Sequence, residues 1–173
     1  MVDGLLWAQF SRAAGWGAAM AEILVVRHGQ AAFGTDDYDR LTDIGWEQSR
    51  LLGEYFAAGN LHFDAVFTGT MRRHRETLAG IQEALLLPAA ATELPGLNEF
   101  DFHALVSAYR ALYPDAGLDI RNARDFYGCL REALLAWSRN EFADIDERWD
   151  SFERRVSSTL DHIANAEGRV LVV

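Results

Sequence analysis

Residues Ile23-Leu24-Val25-Val26 run apolar without interruption and then break into Arg27-His28-Gly29. Four apolar residues with no polar alternation read as a strand buried on both faces, as in a parallel sheet. In open α/β sheets, ligands bind beyond the carboxyl ends of the strands. An imidazole and a guanidinium are therefore delivered to that edge together, and Gly29 lets the backbone turn sharply and come close to what they hold. A fixed cation binds phosphate oxygens and disfavours the imidazolium, which leaves His28 a neutral nucleophile suited to a phosphoryl group. The tripeptide alone also fits a strand ending in two solvated polar residues, and the rest of the chain weighs between the two.

Charge limits the partners. Lys and Arg number 16 against 26 Asp and Glu, a formal net charge of −10. That balance argues against a general nucleic-acid binder or a binder of anionic membranes. An anionic substrate must instead meet a local cluster of arginines within a repulsive overall field. The length of 173 residues and a half-hydrophobic composition fit one soluble globular domain. The single Cys129 excludes an intrachain disulfide and a Cys-rich metal site, which fits a reducing compartment, so a cytoplasmic location is expected. No apolar run approaches the about 20 residues that a membrane-spanning helix needs.

Residues 1–19 read as an N-terminal extension outside the fold, with the domain itself over 20–173. Leu5, Leu6, Trp7 and Phe10 are interrupted by Gln9, Ser11 and Arg12, and Asp3 stands where a secretory leader would be basic. After Gly29 comes a polar loop, residues 31–40, hinged at Gly34. Thr42 is a helix cap, and apolar residues recur at helical spacing up to a stop at Gly59-Asn60. Phe63 to Thr68 reads as a second strand, followed by Gly69-Thr70 and a helix from about Met71 to Leu87 that Pro88 stops. Thr92-Glu93-Leu94 is a short third strand, and Pro95-Gly96 turns the chain into Leu97-Asn98-Glu99.

From Phe102 the pattern is helical for a long way. Leu105, Tyr109 and Leu112 make one stripe, Phe126, Leu130, Leu134 and Trp137 a second, and Trp149, Phe152, Val156, Leu160 and Ile163 a third. Such aromatic stripes are read as core. Gly168 ends the last helix, and Arg169 to Val173 begins a strand buried on both faces. Strands alternating with helices imply an α/β fold, a mostly parallel central sheet with helices on both faces.

These residues resemble the histidine phosphatase superfamily, the phosphoglycerate mutase-like fold. Its opening Arg-His-Gly is matched by Arg27-His28-Gly29. Its second element, an arginine one turn into a helix with a threonine four residues later, is similar to Thr68-Gly69-Thr70-Met71-Arg72-Arg73-His74-Arg75-Glu76-Thr77. Its Leu-x-Glu is matched by Leu97-Asn98-Glu99, and Leu41-Thr42-Asp43-Ile44-Gly45 with Gln48 resembles its first helix. Phe100 to Ala104 departs from the Gly-rich segment usual after the glutamate. In this family the last strand leads into a hydroxyl-His-Gly element with a second active-site histidine. Val173 lies within that strand, so the resemblance implies that the C-terminal part of the domain is missing and that the shortened chain can itself be inactive. His62 and His162 match no family motif and read as surface or half-buried residues.

The resemblance implies a phosphoric monoester hydrolase working through a phosphohistidine on His28. Arg27 and Arg73 would bind the phosphate, where forked donors fit better than lysine. Glu99 would protonate the leaving oxygen and deprotonate water, which requires its burial to outweigh the nearby arginines. Gln30, His74 and His103 are candidates for contact with substrate. No metal and no cofactor is called for, since the arginines neutralise the transferred charge. The partner is a small phosphorylated substrate or a phosphoprotein, with no nucleic acid and no membrane. Arg72 and Arg75 are expected to face solvent, as are Arg110, Arg121, Arg124 and Arg131. Two other functions stay open: a phosphoglycerate mutase-type transfer, and a non-catalytic phosphate-binding or interaction module.

Overall fold

The apolar run of residues 23–26 does become a strand, and it takes an inner place in a five-stranded sheet. The computed structural model describes residues 7–11 (backbone only), 22–87, 90–114 and 120–173. Its strands are β1 (Trp7–Ser11), β2 (Glu22–Val26), β3 (Ala65–Thr68), β4 (Thr92–Glu93) and β5 (Arg169–Val172), in the order β1-β2-β5-β3-β4. β5 runs parallel to β2 and β3, with Leu24 opposite Leu171 and Val66 opposite Leu171, and β4 is parallel to β3. β1 alone is antiparallel, pairing Trp7 with Val26 and Ser11 with Glu22. Part of the segment expected outside the fold thus supplies an edge strand. A strand edge offers unpaired N–H and C=O groups to any extended segment, and this pairing needs no hydrophobic periodicity in the added strand. The rest of residues 1–19 lies outside the described residues.

The helices are α1 (Asp43–Ala58), α2 (Arg72–Gln82), α3 (Phe102–Leu112), α4 (Ala123–Ser138) and α5 (Trp149–Ala164). The chain divides into two compact units, the first Met1–Asn98 with Thr159–Val173 and the second Glu99–Ser158. In the first, β5 is buried on both faces as its sequence implied. Leu171 and Val173 join Leu24, Val26 and Val66 from the sheet with Leu52, Phe56, Leu78 and Ile81 from α1 and α2. On the opposite face Val170 and Val172 pack with Phe67 and with Ile163 of α5. Helices therefore cover both faces of the sheet.

Local chemistry sets the helix ends. Thr42 caps α1 by accepting the Gly45 N–H, as read from the sequence. At its other end the left-handed residue is Asn60, with φ 51°, rather than Gly59. α2 stops at Gln82, five residues short of the expected end at Leu87. Leaving the helix there buries Leu85 while Leu86 stays exposed. Pro88, the expected stop, lies outside the described residues.

In the second unit Trp137 is the centre of the core, 1% exposed, with ring centroids 5.4 Å from Phe100, 5.2 Å from Trp149 and 5.0 Å from Phe152. Its indole N–H donates to the Glu147 carbonyl at 2.8 Å. The buried face of α4 is Cys129, Ala133, Ala136 and Trp137, so Trp137 of the expected stripe is buried while Phe126, Leu130 and Leu134 are half-buried. Small residues on the inner face let this helix approach its neighbours closely, and the larger ones line its border. Burial pushes the Cys129 thiol up from its ordinary value, which suits an inert core cysteine. On α5 only Ile163 is fully buried, and Leu160, counted in the expected stripe, is exposed. Among the described residues no helix is long and apolar enough to cross a membrane.

Candidate active site

Three chain segments of the first unit build the site: the turn after β2, the turn after β3 and the first turn of α2. Beyond buried Val26, Arg27 is exposed and His28 half-buried. Nδ1 of His28 lies 2.6 Å from the carbonyl oxygen of Gly29. A carbonyl only accepts, so Nδ1 carries a proton, and in the neutral ring the lone pair lies on Nε2.

Gly29 serves through its lack of a side chain. Its φ is not positive, so the expected need for an unusual turn is not what selects glycine. A Cβ there would collide with the Gly45 carbonyl and come within 3.0 Å of the Ser49 hydroxyl, and a Cβ on Gly45 would strike the Gln30 carbonyl. The two backbones lie against one another, and the Gln30 N–H donates to Gln48 Oε1 at 2.9 Å. Gln30 is exposed, and its side-chain carbonyl accepts the Thr42 hydroxyl proton at 2.9 Å, a contact that ties the loop to the start of α1. Gly45→Ala is expected to cost about 1–3 kcal/mol, since overpacked atoms force the backbone apart. An unchanged denaturation midpoint would show that the two segments part freely.

After β3, Thr68 is buried and the Gly69 N–H donates to the Val173 carbonyl at 3.1 Å. Thr70 and Asn98 exchange two hydrogen bonds, Thr70 N–H to Asn98 Oδ1 at 2.8 Å and Asn98 Nδ2 to the Thr70 hydroxyl at 2.7 Å. Arg73 and His74 follow on α2, 1% and 5% exposed. The His74 ring centroid is 6.0 Å from that of His28. A Cβ on Gly69 would collide with His74 Nδ1, so glycine keeps room for this imidazole. Arg73 Nη1 donates to Asp39 Oδ1 at 2.7 Å, and its guanidinium carbon sits 5.1 Å from the Tyr38 ring centroid.

Thr77 joins the two motifs. Its hydroxyl donates to the Arg73 carbonyl at 2.7 Å and accepts the Gly29 N–H at 3.0 Å. A single buried side chain thus couples the turn of His28 to the helix of Arg73.

The flanking arginines are used up elsewhere. Arg72 donates to Glu76 at 2.6 Å and to Asp37 at 2.9 Å, and Arg75 to Glu93 at 2.6 and 2.7 Å. The Arg75 hydrogen bonds hold the Glu93 carboxyl below its ordinary range. Both arginines are exposed, as expected, and so are Arg110, Arg121, Arg124 and Arg131.

In the second unit Glu99 is exposed, which corrects the expectation that burial keeps it protonated. It lies in the stretch before α3 and lines a cavity of about 220 Å³ with Phe100, Asp101, Trp137, Asp146 and Glu147. His103 is exposed on α3, its ring 4.2 Å from that of Phe102.

A family description, histidine phosphatase superfamily (branch 1), matches residues 23–173. The chain belongs to this family. It is 29% identical over 99 residues to phosphohistidine phosphatase SixA of Escherichia coli, covering 56% of this chain and 62% of that protein. It is 30% identical over 132 residues to a 2,3-bisphosphoglycerate-dependent phosphoglycerate mutase of Rhizobium etli, covering 70% of this chain and 56% of the mutase. The chain thus spans less than two thirds of either relative's length. The solved structure of the open reading frame product Rv3214 from Mycobacterium tuberculosis shares the fold, with a TM-score of 0.56 at 20% identity over 87% of this chain and 72% of that one.

Of the residues that the histidine phosphatase resemblance nominates, Arg27, His28, Gln30, Arg73 and His74 lie in the first unit, and Glu99 and His103 in the second. Sequence reasoning missed Tyr38 and Asp39. They stand in a polar loop with no periodic signal, and their partner Arg73 is 34 positions away from Asp39.

Proposed function

We propose that the protein hydrolyses a phosphomonoester through a phosphohistidine formed on His28. Nε2 attacks phosphorus, the N–P bond forms as the P–O bond to the leaving group breaks, and Glu99 gives its proton to the departing oxygen. Water then attacks phosphorus and passes a proton to Glu99. The N–P bond breaks, phosphate leaves and the imidazole is restored. Arg73 and Arg27 hold the non-bridging oxygens, where charge collects in the transition state.

The observation that carries this reading is the 2.6 Å contact between His28 Nδ1 and the Gly29 carbonyl. It leaves Nε2 as the nitrogen with the lone pair in the neutral ring, on a turn coupled through Thr77 to the helix of Arg73. A small phosphomonoester fits this step; a phosphohistidine-bearing protein, a phosphoramidate in which a P–N bond would break and a nitrogen would take the proton, is the other candidate, supported by the likeness to a phosphohistidine phosphatase. The likeness to a phosphoglycerate mutase favours the second reading, transfer of the same phosphoryl group to an acceptor other than water.

Trapping with radiolabelled phosphomonoester tests both. An acid-labile, base-stable label on His28 that decays to inorganic phosphate supports the hydrolase, and decay only on addition of a second hydroxyl acceptor supports the mutase. Saturable binding without label would leave a non-catalytic phosphate-binding module and overturn the proposal.

A further inference from the structure

We propose that Asp39 is a positioning residue for phosphoryl transfer, aiming the guanidinium of Arg73. This rests on the reading above, in which Arg73 grips the transferred group.

Helix α2 starts without a cap of its own, since Met71 makes no side-chain hydrogen bond at that position. Asp39 fills the role from the preceding loop. Its Oδ2 accepts the Arg72 N–H at 2.8 Å, while Oδ1 accepts Arg73 Nη1 at 2.7 Å and lies 3.5 Å from the Arg73 backbone nitrogen. One carboxylate thus fixes both the backbone from which Arg73 springs and the far end of its side chain. Arg73 is 1% exposed, whereas the Asp39 side chain keeps 42%, so the carboxylate reaches in from the rim to a buried cation. Tyr38 stands against the same guanidinium. The loop is itself fastened to α2, by the Leu41 N–H on Glu76 Oε2 at 2.6 Å and by Arg72 on Asp37.

A guanidinium has five donors, more than the two that a two-pronged grip on phosphate uses. Donors already in place cost no reorganisation when charge develops. Without Asp39 a long flexible side chain must be ordered by the substrate itself. Removing the carboxylate also removes a negative charge that repels the substrate. The two effects oppose each other in ground-state affinity, whereas in the transition state exact placement dominates. The signature of a positioning role is therefore a fall in kcat with little change in KM.

Asp39→Asn tests this, because asparagine caps helices about as well as aspartate but lacks the charge that orients Arg73. Phosphoenzyme formation in a single turnover is expected to slow about tenfold or more, and KM to change less than about threefold. In an Arg73→Ala background the same substitution should change the rate less than about twofold, because two residues acting as one unit are non-additive. Asp39→Glu, which keeps the charge at a different reach, should fall between wild type and Asp39→Asn, about threefold or more below wild type, and it decides the matter should the asparagine variant fail to fold. The inference is overturned if either variant forms the phosphoenzyme within twofold of wild type, or if Asp39→Asn slows the Arg73→Ala protein as much as the wild type. If Arg73→Ala alone labels at the wild-type rate, the phosphate-grip reading falls, and this inference with it.

Discussion

His28→Ala is expected to abolish phosphoenzyme formation and to lower turnover by at least about 10³-fold, because no other group in the proposed mechanism forms the covalent intermediate. The fold should survive. His28 is half-buried at the end of β2, and its ring lies outside the hydrophobic clusters that form the core of each unit. The measurement is labelling with a radiolabelled phosphomonoester quenched in alkaline detergent, which preserves a phosphohistidine, alongside thermal melting of both proteins. Turnover within tenfold of wild type, with the melting temperature unchanged, would remove His28 as nucleophile. His74, whose ring centroid is 6.0 Å away, would then be the imidazole to replace next.

Arg73→Lys is expected to weaken vanadate inhibition and to slow phosphoryl transfer by about 10²–10³-fold, the usual cost of losing one preorganised donor to a developing anion. An ammonium is a point charge on a flexible stem and cannot reproduce a planar fork. Here the demand is double, since the guanidinium already serves Asp39 Oδ1 at 2.7 Å and must serve the phosphate as well. Lysine also gives up the guanidinium's contact with the Tyr38 ring, so some loss of stability should accompany the kinetic effect. Measuring the vanadate inhibition constant and the denaturation midpoint on one preparation separates the two. Inhibition unchanged from wild type would mean that Arg73 holds the loop to α2 and takes no part in binding phosphate. Because Arg72 and Arg75 are engaged with Glu76, Asp37 and Glu93, neither is poised to compensate.

Much of this architecture was legible in the residues because it rests on local rules. An unbroken apolar run reads as a strand buried on both faces, and Leu24, Val26, Val170, Leu171 and Val172 are all buried. Thr42 reads as a helix cap because its hydroxyl reaches an N–H only three residues away. The Arg-His-Gly turn and the arginine of α2 stand out as chemistry because their neighbours are apolar strands, and the family match over residues 23–173 follows the same residues. Periodicity was weaker at choosing a helix face. On α4 it favoured the bulky Phe126, Leu130 and Leu134, whereas close packing selected Cys129, Ala133 and Ala136, since helix approach depends on what the partner surface admits.

What the sequence by itself determined is therefore the alternation of strands and helices, the parallel habit of the inner strands and the residue types brought to their carboxyl ends. Only the tertiary structure decided the rest. It placed the last strand between β2 and β3, recruited Trp7–Ser11 as an antiparallel edge, set Gly29 against Gly45, left Glu99 exposed and brought Asp39 onto Arg73. The physical reason is common to all of them. Each depends on groups far apart in the chain meeting in space, and no hydrophobic period or local propensity encodes which distant backbone or carboxylate will be there to meet.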